Sequence, residues 1–328
     1  MAEEAYAVGV DLGGTKVQVA LIDRTGHLLD QFSFSSQVEL GAIDLSRRLC
    51  EAIQTLIDRT QKRPCAIGVG LAGQIDGAEG MVIFAPNLQW RKVPLRYRLQ
   101  EAFGLPTAIL NDVRAATWGE WLFGTGQGCQ DFICLFIGTG IGGGIVSGGR
   151  LLTGVSNSAG EVGHTTLVSG GRLCSCGHRG CWEAYASGWG LALTLRERVA
   201  QGGTGAELLL EKVNGQLEQL NGLHLAAALA EGNELAKQLF DELALYLADG
   251  CISLVNSFNP SRLLFGGGII DGFSGLLEAI NLRLKSESLP SAAQAVELVK
   301  ASLGSRAPLV GAAAAAFAQV SLTSIDVH

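Results

Sequence analysis

No apolar run in the chain approaches the roughly 18 residues that a membrane span needs. The Ala-rich stretch Ala312 to Ala316 is short and reads as part of a packed helix. The start, Met1-Ala-Glu-Glu-Ala, is acidic and lacks the basic region of a signal peptide. Basic charge is scarce too. Lys and Arg number 24 against 31 Asp and Glu, which leaves a net charge of -7 over 328 residues. A nucleic-acid surface needs clustered Lys and Arg, so none is expected, and neither is a membrane partner. Charged residues make up only 17 % and hydrophobic residues 48 %, which excludes a disordered chain and allows a proper core. The composition is that of a cytoplasmic globular protein with one large domain or two ordinary ones.

The 8 cysteines are unevenly placed. Cys174, Cys176 and Cys181 sit together, whereas the rest lie scattered in apolar contexts such as Ile133-Cys134-Leu135. Without a secretory signal, this pattern predicts buried free thiols plus one metal cluster, not a disulfide framework.

Glycine, at 45 residues, is abundant and clustered. The segment from Val8 to Asp23 reads as strand, tight glycine turn, strand, because both flanks of the turn alternate with β-branched residues. A third strand runs to about Phe34. Leu45, Leu49, Ile53, Leu56 and Ile57 follow helical spacing, and Leu95, Leu99 and Phe103 mark a second helix. Between them, 66–71 reads as a buried strand. Another strand, 107–110, ends at Asn111-Asp112. The pattern then restarts: 132–146 is again strand, glycine turn, strand, and 8–20 and 132–145 can be laid over each other turn on turn. This reads as an internal duplication giving two α/β halves with a cleft between them. Helices are expected over 191–199, 223–231 and 235–254, and a strand over 262–265 runs into Gly266-Gly-Gly268. The expected domains are a smaller one, 1–111, onto which a last helix at 310–323 packs back, and a larger one, 112–309.

Two tempting motifs fail on context. Gly138, Gly140 and Gly143 fit the dinucleotide pattern G-x-G-x-x-G, which must open a helix; here a β-branched strand follows. Gly9 to Lys16 resembles a phosphate loop but reads Gly-Thr-Lys where that motif needs Gly-Lys-Ser/Thr. A glycine turn between strands still presents backbone N–H groups with no Cβ in the way, and two such turns suit phosphate oxygens. Asp11 and Lys16 flank the first turn; a carboxylate can hold Mg²⁺ through water, and Thr15 can donate to a phosphate.

His164 is followed after nine residues by Cys174-Ser-Cys176-Gly-His-Arg-Gly-Cys181-Trp-Glu183. Three Cys and one His within 18 residues complete a tetrahedral, closed, structural zinc set. His178 is a rival ligand, disfavoured because the Cys-x-Cys loop leaves it little room to turn inward. Glu161, three residues before His164, and Glu183, two after Cys181, join Asn111 and Asp112 as donors and acceptors suited to sugar hydroxyls.

Together, Asp11-Leu-Gly-Gly-Thr-Lys16, Asn111-Asp112, Gly138-Thr-Gly-Ile-Gly-Gly-Gly144, Gly160-Glu-Val-Gly-His164 and the Cys174 to Glu183 knuckle resemble the ROK family (repressors, open reading frames, kinases) over essentially the whole chain. The resemblance implies an α/β, actin-like (ribonuclease-H-like) ATPase fold of two domains, closest in pattern to bacterial glucokinases and commonly dimeric. It implies Asp112 as catalytic base, with Asn87, Asn111, Asp112, Glu161, His164 and Glu183 contacting the hexose, glucose first. It implies ATP and Mg²⁺ as cofactors. Asp11 would hold the ion, Gly13, Gly14, Thr15, Lys16, Gly138, Thr139 and Gly140 the phosphates, and Gly266, Gly267 and Gly268 the adenosine. Zinc would sit on His164, Cys174, Cys176 and Cys181. Family repressors carry an added N-terminal helix-turn-helix domain. The first strand pattern begins close to Met1, so an enzyme is expected before a sugar-sensing regulator. Other hexose or N-acetylmannosamine kinases and a polyphosphate-dependent glucokinase share nearly all these residues. Arg114 and Trp118 stand where the family pattern has small residues.

Overall fold

The computed structural model describes residues 5–323. The chain divides into two compact units. The first takes the chain up to Cys129, the segment Leu151–Gly160 and the chain from Ala301 onward; the second takes Gln130–Arg150 and Glu161–Lys300. Helices α1 (Gly41–Thr60), α2 (Leu95–Phe103) and α3 (Asp112–Phe123), with the last described helix, α12 (Ala307–Thr323), belong to the first unit. Helices α4 (Glu183–Ala186), α5 (Gly188–Gln201), α6 (Ala206–Glu211), α7 (Gly222–Ala230), α8 (Glu234–Phe258), α9 (Gly268–Gly272), α10 (Leu276–Glu287) and α11 (Pro290–Ala295) belong to the second.

The first unit is built on strands β1 (Tyr6–Leu12), β2 (Lys16–Asp23), β3 (Leu28–Ser35), β4 (Pro64–Leu71) and β8 (Thr107–Asn111), in the order β3-β2-β1-β4-β8. A small sheet of β5 (Gln74–Asp76), β6 (Met81–Ala85) and β7 (Trp90–Val93) lies between β4 and α2 in the chain. Strand alternation sorts the two faces of the large sheet. Val8, Val10 and Leu12 cluster with Leu45, Leu49, Ile53 and Leu56 of α1, and Leu95 and Leu99 of α2 join them. Ala7 clusters with Leu309, Ala313, Ala316 and Phe317 of α12. That second face is lined by small residues because α12 lies backbone-close: a Cβ at Gly68 would stand 1.8 Å from the carbonyl oxygen of Ala312. The Ala-rich run of the sequence is thus the helix side of this close packing. Asp11 shares the parity of Ala7, which directs it to the same face.

The sequence reading placed the boundary between residues 111 and 112; the structure moves it to 129/130 and adds 151–160 to the first unit. The reason is α3, which crosses α12 almost backbone to backbone. A Cβ at Gly311 would meet the Ala115 carbonyl oxygen at 1.6 Å, and one at Gly119 the Ala307 oxygen at 2.7 Å. The returning helix starts at Ala307, three residues before the expected 310. Glu120 of α3, fully buried, stitches together the segments by which the chain leaves and re-enters this unit. Its Oε1 accepts from Leu303 N–H (2.7 Å); its Oε2 accepts from Thr125 N–H (2.9 Å), Ser302 N–H (3.2 Å) and the Ser302 hydroxyl (3.2 Å).

The second unit repeats the plan. Its strands β9 (Phe132–Ile137), β10 (Ile141–Ser147), β11 (Arg150–Leu151), β12 (Arg262–Gly266) and β13 (Glu297–Lys300) run in the order β11-β10-β9-β12-β13. In both sheets the first strand pairs antiparallel with the second and parallel with the fourth, which pairs parallel with the fifth. The duplication inferred from the two glycine turns is therefore a duplication of whole sheets. Both rejected motifs indeed lead into strands, β2 and β10.

Candidate functional site

In the first unit the chemistry gathers at the ends of β1, β4 and β8. The turn from β1 to β2 is closed by Gly13 N–H donating to the Lys16 carbonyl (3.1 Å). Ser36 holds it from behind: its hydroxyl donates to the Gly13 carbonyl and its N–H to the Thr15 carbonyl. Thr15 and Lys16 stay exposed. Asn87 belongs beside this turn: its carbonyl oxygen lies 2.6 Å from where a Gly14 Cβ would be, so only glycine fits there. Asp11, at the end of β1, is held well above the ordinary carboxylate range, at about 6. Burial raises it, the Asp112 carboxylate adds to the rise, and Lys16 opposes it. The structure thus places Asp11 and Asp112 in one electrostatic neighbourhood.

At the end of β8 either Asn111 or Asp112 is a residue type suited to be N-cap of the following helix. The structure gives that role to Asn111. Its Oδ1 accepts from Val113 N–H (3.0 Å) and Arg114 N–H (3.2 Å), and α3 begins with Asp112 itself. Asp112 accepts from Val113 N–H at 2.9 Å and stands in the first turn, where the helix dipole favours an anion. Asn111 keeps only its NH₂ group for a ligand.

In the second unit three expected groups converge on Ile141, the residue after the second glycine turn. Gly138 N–H closes that turn on the Gly140 carbonyl (3.0 Å), and the Gly138 and Thr139 carbonyls accept from Gly188 N–H (2.8 Å) and Trp189 N–H (3.2 Å). Glu183 Oε2 accepts from Ile141 N–H (2.9 Å); a Cβ at Gly140 would lie 2.5 Å from that oxygen, so the close approach requires glycine. Glu183 is no solvated surface acid: it is 9 % exposed, and its Oε1 faces the Ser175 hydroxyl (3.4 Å) and Trp189 Nε1 (3.3 Å). The turn Glu161 to His164 packs on the same strand end, with the Gly163 Cβ position 2.2 Å from the Ile141 carbonyl oxygen; Glu161 and His164 themselves are exposed. Gly266–Gly268 end β12 and open α9; Gly267 adopts φ 98° with its Cβ position 2.5 Å from the Ile137 oxygen, beside the second turn.

The ligand atoms of His164, Cys174, Cys176 and Cys181 all lie within 4.8 Å of one another. Cys174 Sγ is 3.7 Å from His164 Nδ1, and Cys176 Sγ is 3.6 Å from Cys181 Sγ. Zn–S bonds of about 2.3 Å at tetrahedral angles put two sulfurs about 3.8 Å apart, so these residues fit a zinc ion. His178 turns its Nδ1 to 3.6 Å from Cys176 Sγ, so the loop has more room than its spacing suggested, yet His178 is not part of the four-residue group. Its hydrogen bonds, with those of Cys174 and Cys181, draw the Cys176 thiol down against the opposing effect of burial.

Sequence reasoning missed three residues here. Glu120 lies in no motif, and only the fold shows that it is buried. Ser175 and Trp189, which face Glu183, carried no motif. Trp118, unexplained by the sequence, packs edge-on against Trp121 with ring centroids 6.3 Å apart.

The ROK family model matches residues 7–319. The chain is 36 % identical over 309 residues to a glucokinase of Streptomyces coelicolor, covering 93 % of this chain and 96 % of that protein. It is 31 % identical over 315 residues to a xylose repressor of Bacillus spizizenii, covering 93 % of this chain and 75 % of that one. A solved ROK family glucokinase from Streptomyces griseus, in complex with glucose and AMPPNP, matches with a TM-score of 0.80 at 36 % identity, covering 96 % of this chain and 100 % of that one. The chain has the actin-like, ribonuclease-H-like ATPase fold of its solved ROK neighbours.

Proposed function

The chain belongs to the ROK family, and from that premise we propose that it is an ATP-dependent hexose kinase transferring the γ-phosphoryl group to the 6-hydroxyl of glucose. The observation that carries the reading is the carboxylate pair at the ends of β1 and β8. Asp112 lies close enough to Asp11 to raise it, at the strand ends where α/β sheets receive ligands. Two carboxylates held this close suit one base and one cation ligand.

In this reading Asp112 accepts the proton of the sugar hydroxyl as its oxygen bonds to the γ-phosphorus and the bond to the ADP oxygen breaks. Most of the catalysis is positioning and charge screening. Asp11 would hold Mg²⁺, which would supply positive charge against the phosphate oxygens and would favour the ionised form of a carboxylate that burial first, and Asp112 second, hold protonated. Gly13, Gly14, Thr15 and Lys16 are donors for phosphate oxygens, as are Gly138, Thr139 and Gly140, and Gly266, Gly267 and Gly268 would flank the adenosine. Asn87, the Asn111 NH₂, Glu161, His164 and Glu183 take sugar hydroxyls. Glu183 has Oε1, whose present partners lie at 3.3 and 3.4 Å, to offer a hydroxyl. His164, Cys174, Cys176 and Cys181 would hold zinc, and so held they would stiffen the knuckle between Glu161 and Glu183 and fix the direction of both carboxylates.

A coupled assay of glucose phosphorylation, with ATP and inorganic polyphosphate compared side by side, tests the reading. Turnover with ATP is expected. Glucose binding without turnover on either donor favours a sugar-sensing regulator, the reading to which the repressor likeness lends weight.

A further inference from the structure

Arg114 is a buried cation in the first turn of α3, two residues after Asp112 and only 4 % exposed. Its guanidinium forks onto one residue: Nη1 donates to the side-chain Oδ1 of Asn157 and Nη2 to the Asn157 main-chain oxygen. Asn157 in turn donates its Nδ2 to the Ile75 carbonyl (2.9 Å) and adopts the left-handed φ of 56°. The loop around it closes on itself, with Ala159 N–H donating to the Thr153 carbonyl (3.0 Å). One asparagine thus ties its loop to Arg114 and Ile75, elsewhere in the same unit, by three hydrogen bonds. Four residues later the chain reaches Glu161, and after it His164.

A two-pronged guanidinium fixes orientation as well as distance, which a single ammonium cannot do. Burying such a cation is costly, and here its fork is spent on a loop that otherwise offers little to the core: Val155, two residues from Asn157, is fully exposed. The arrangement has more to do with placing the loop than with stabilising the unit.

We propose that Arg114 is a positioning residue for the acceptor sugar. By clamping Asn157 it fixes the loop leading into Glu161 against the helix that begins with Asp112, and it thereby sets sugar affinity and the choice among hexoses. The inference rests on the reading of Asp112 and Glu161 as sugar-contacting residues.

The test compares Arg114→Lys, Asn157→Ala and the double variant with the wild type. It uses steady-state kinetics with glucose, mannose and fructose, calorimetric glucose binding without nucleotide, and hydrogen exchange of the loop. Arg114→Lys keeps the charge but loses the fork. It should raise KM for glucose about tenfold or more, narrow the preference for glucose, and leave KM for ATP within about twofold. Asn157→Ala breaks the same clamp from the loop side, so it should act alike should the arginine variant fold poorly, and the double variant should be no worse than the poorer single. Exchange over 151–164 should quicken while α3 keeps its protection. Unchanged glucose affinity and preference in both single variants overturns the inference, as do additive effects or glucose and ATP affinities falling together. Binding and exchange need no turnover. A wild type that binds glucose without phosphorylating it therefore overturns the kinase reading alone, and one that binds no glucose overturns both.

Discussion

Asp11 stores a cost that should be measurable without any substrate. Its carboxyl is raised from 3.8 to about 6, first by burial and then by Asp112. The folded state therefore holds the Asp11 proton more tightly than the unfolded state does. For an acid raised in this way, stability is greatest below the unfolded value near 4 and falls as pH rises through 6, because above that the buried charge must be carried. About two pKa units at 1.36 kcal/mol each set the loss at about 3 kcal/mol. Asp11→Asn is neutral at every pH and close in shape, so it should match the wild type near pH 4 and exceed it by up to about 3 kcal/mol at pH 8. Chemical denaturation in chelator, without nucleotide, at several pH values between 4 and 8 reads this directly. Mg²⁺ with a non-hydrolysable nucleotide should then stabilise the wild type and not the variant, because the carboxylate that receives the ion is gone. A variant no more stable than the wild type at pH 8, or one whose advantage is the same at pH 4 and pH 8, would refute the electrostatic account of Asp11.

Glu120→Ala should destabilise the protein by about 3 kcal/mol, since it removes a fully buried charged acceptor from three part-buried main-chain N–H groups, where each bond to a charged group is worth about 1.5–3 kcal/mol; denaturant midpoints measure it, and a loss under about 1 kcal/mol would contradict the stitching role. Elemental analysis should find about one zinc per chain, lost in His164→Ala and kept in His178→Ala, and chelation should lower the thermal midpoint. The opposite pattern in the two histidine variants would move the ligand to His178.

Much of the architecture was legible because it rests on local pattern. Strand alternation about two glycine turns exposed the repeated sheets, and helical spacing located α1, α2, α5, α7 and α8. The grouping of His164, Cys174, Cys176 and Cys181 was legible because these residues are close in sequence. What escaped was long-range. The unit boundary was misplaced because α3 follows a strand end that looks like a border; only its crossing with α12, through Gly119 and Gly311, assigns it to the first unit. The cap was ambiguous because Asn111 and Asp112 are adjacent and both cap well, and only the acceptor geometry separates them. Arg114 and Glu120 were opaque for a common reason. A charged residue in a helix reads as solvated until its partner, here Asn157 or the Ser302-Leu303 backbone, is brought to it by the fold.

Whether Asp112 is the base of a glucose-phosphorylating kinase is decided by the kcat of Asp112→Asn with glucose and ATP. The helix cap is supplied by Asn111, so the substitution leaves α3 intact, and the variant should fold and bind both substrates. Loss of a general base typically costs 10²–10⁴-fold, so kcat should fall at least about a hundredfold, with KM for glucose changing far less. A folded variant with near-normal kcat would contradict the account.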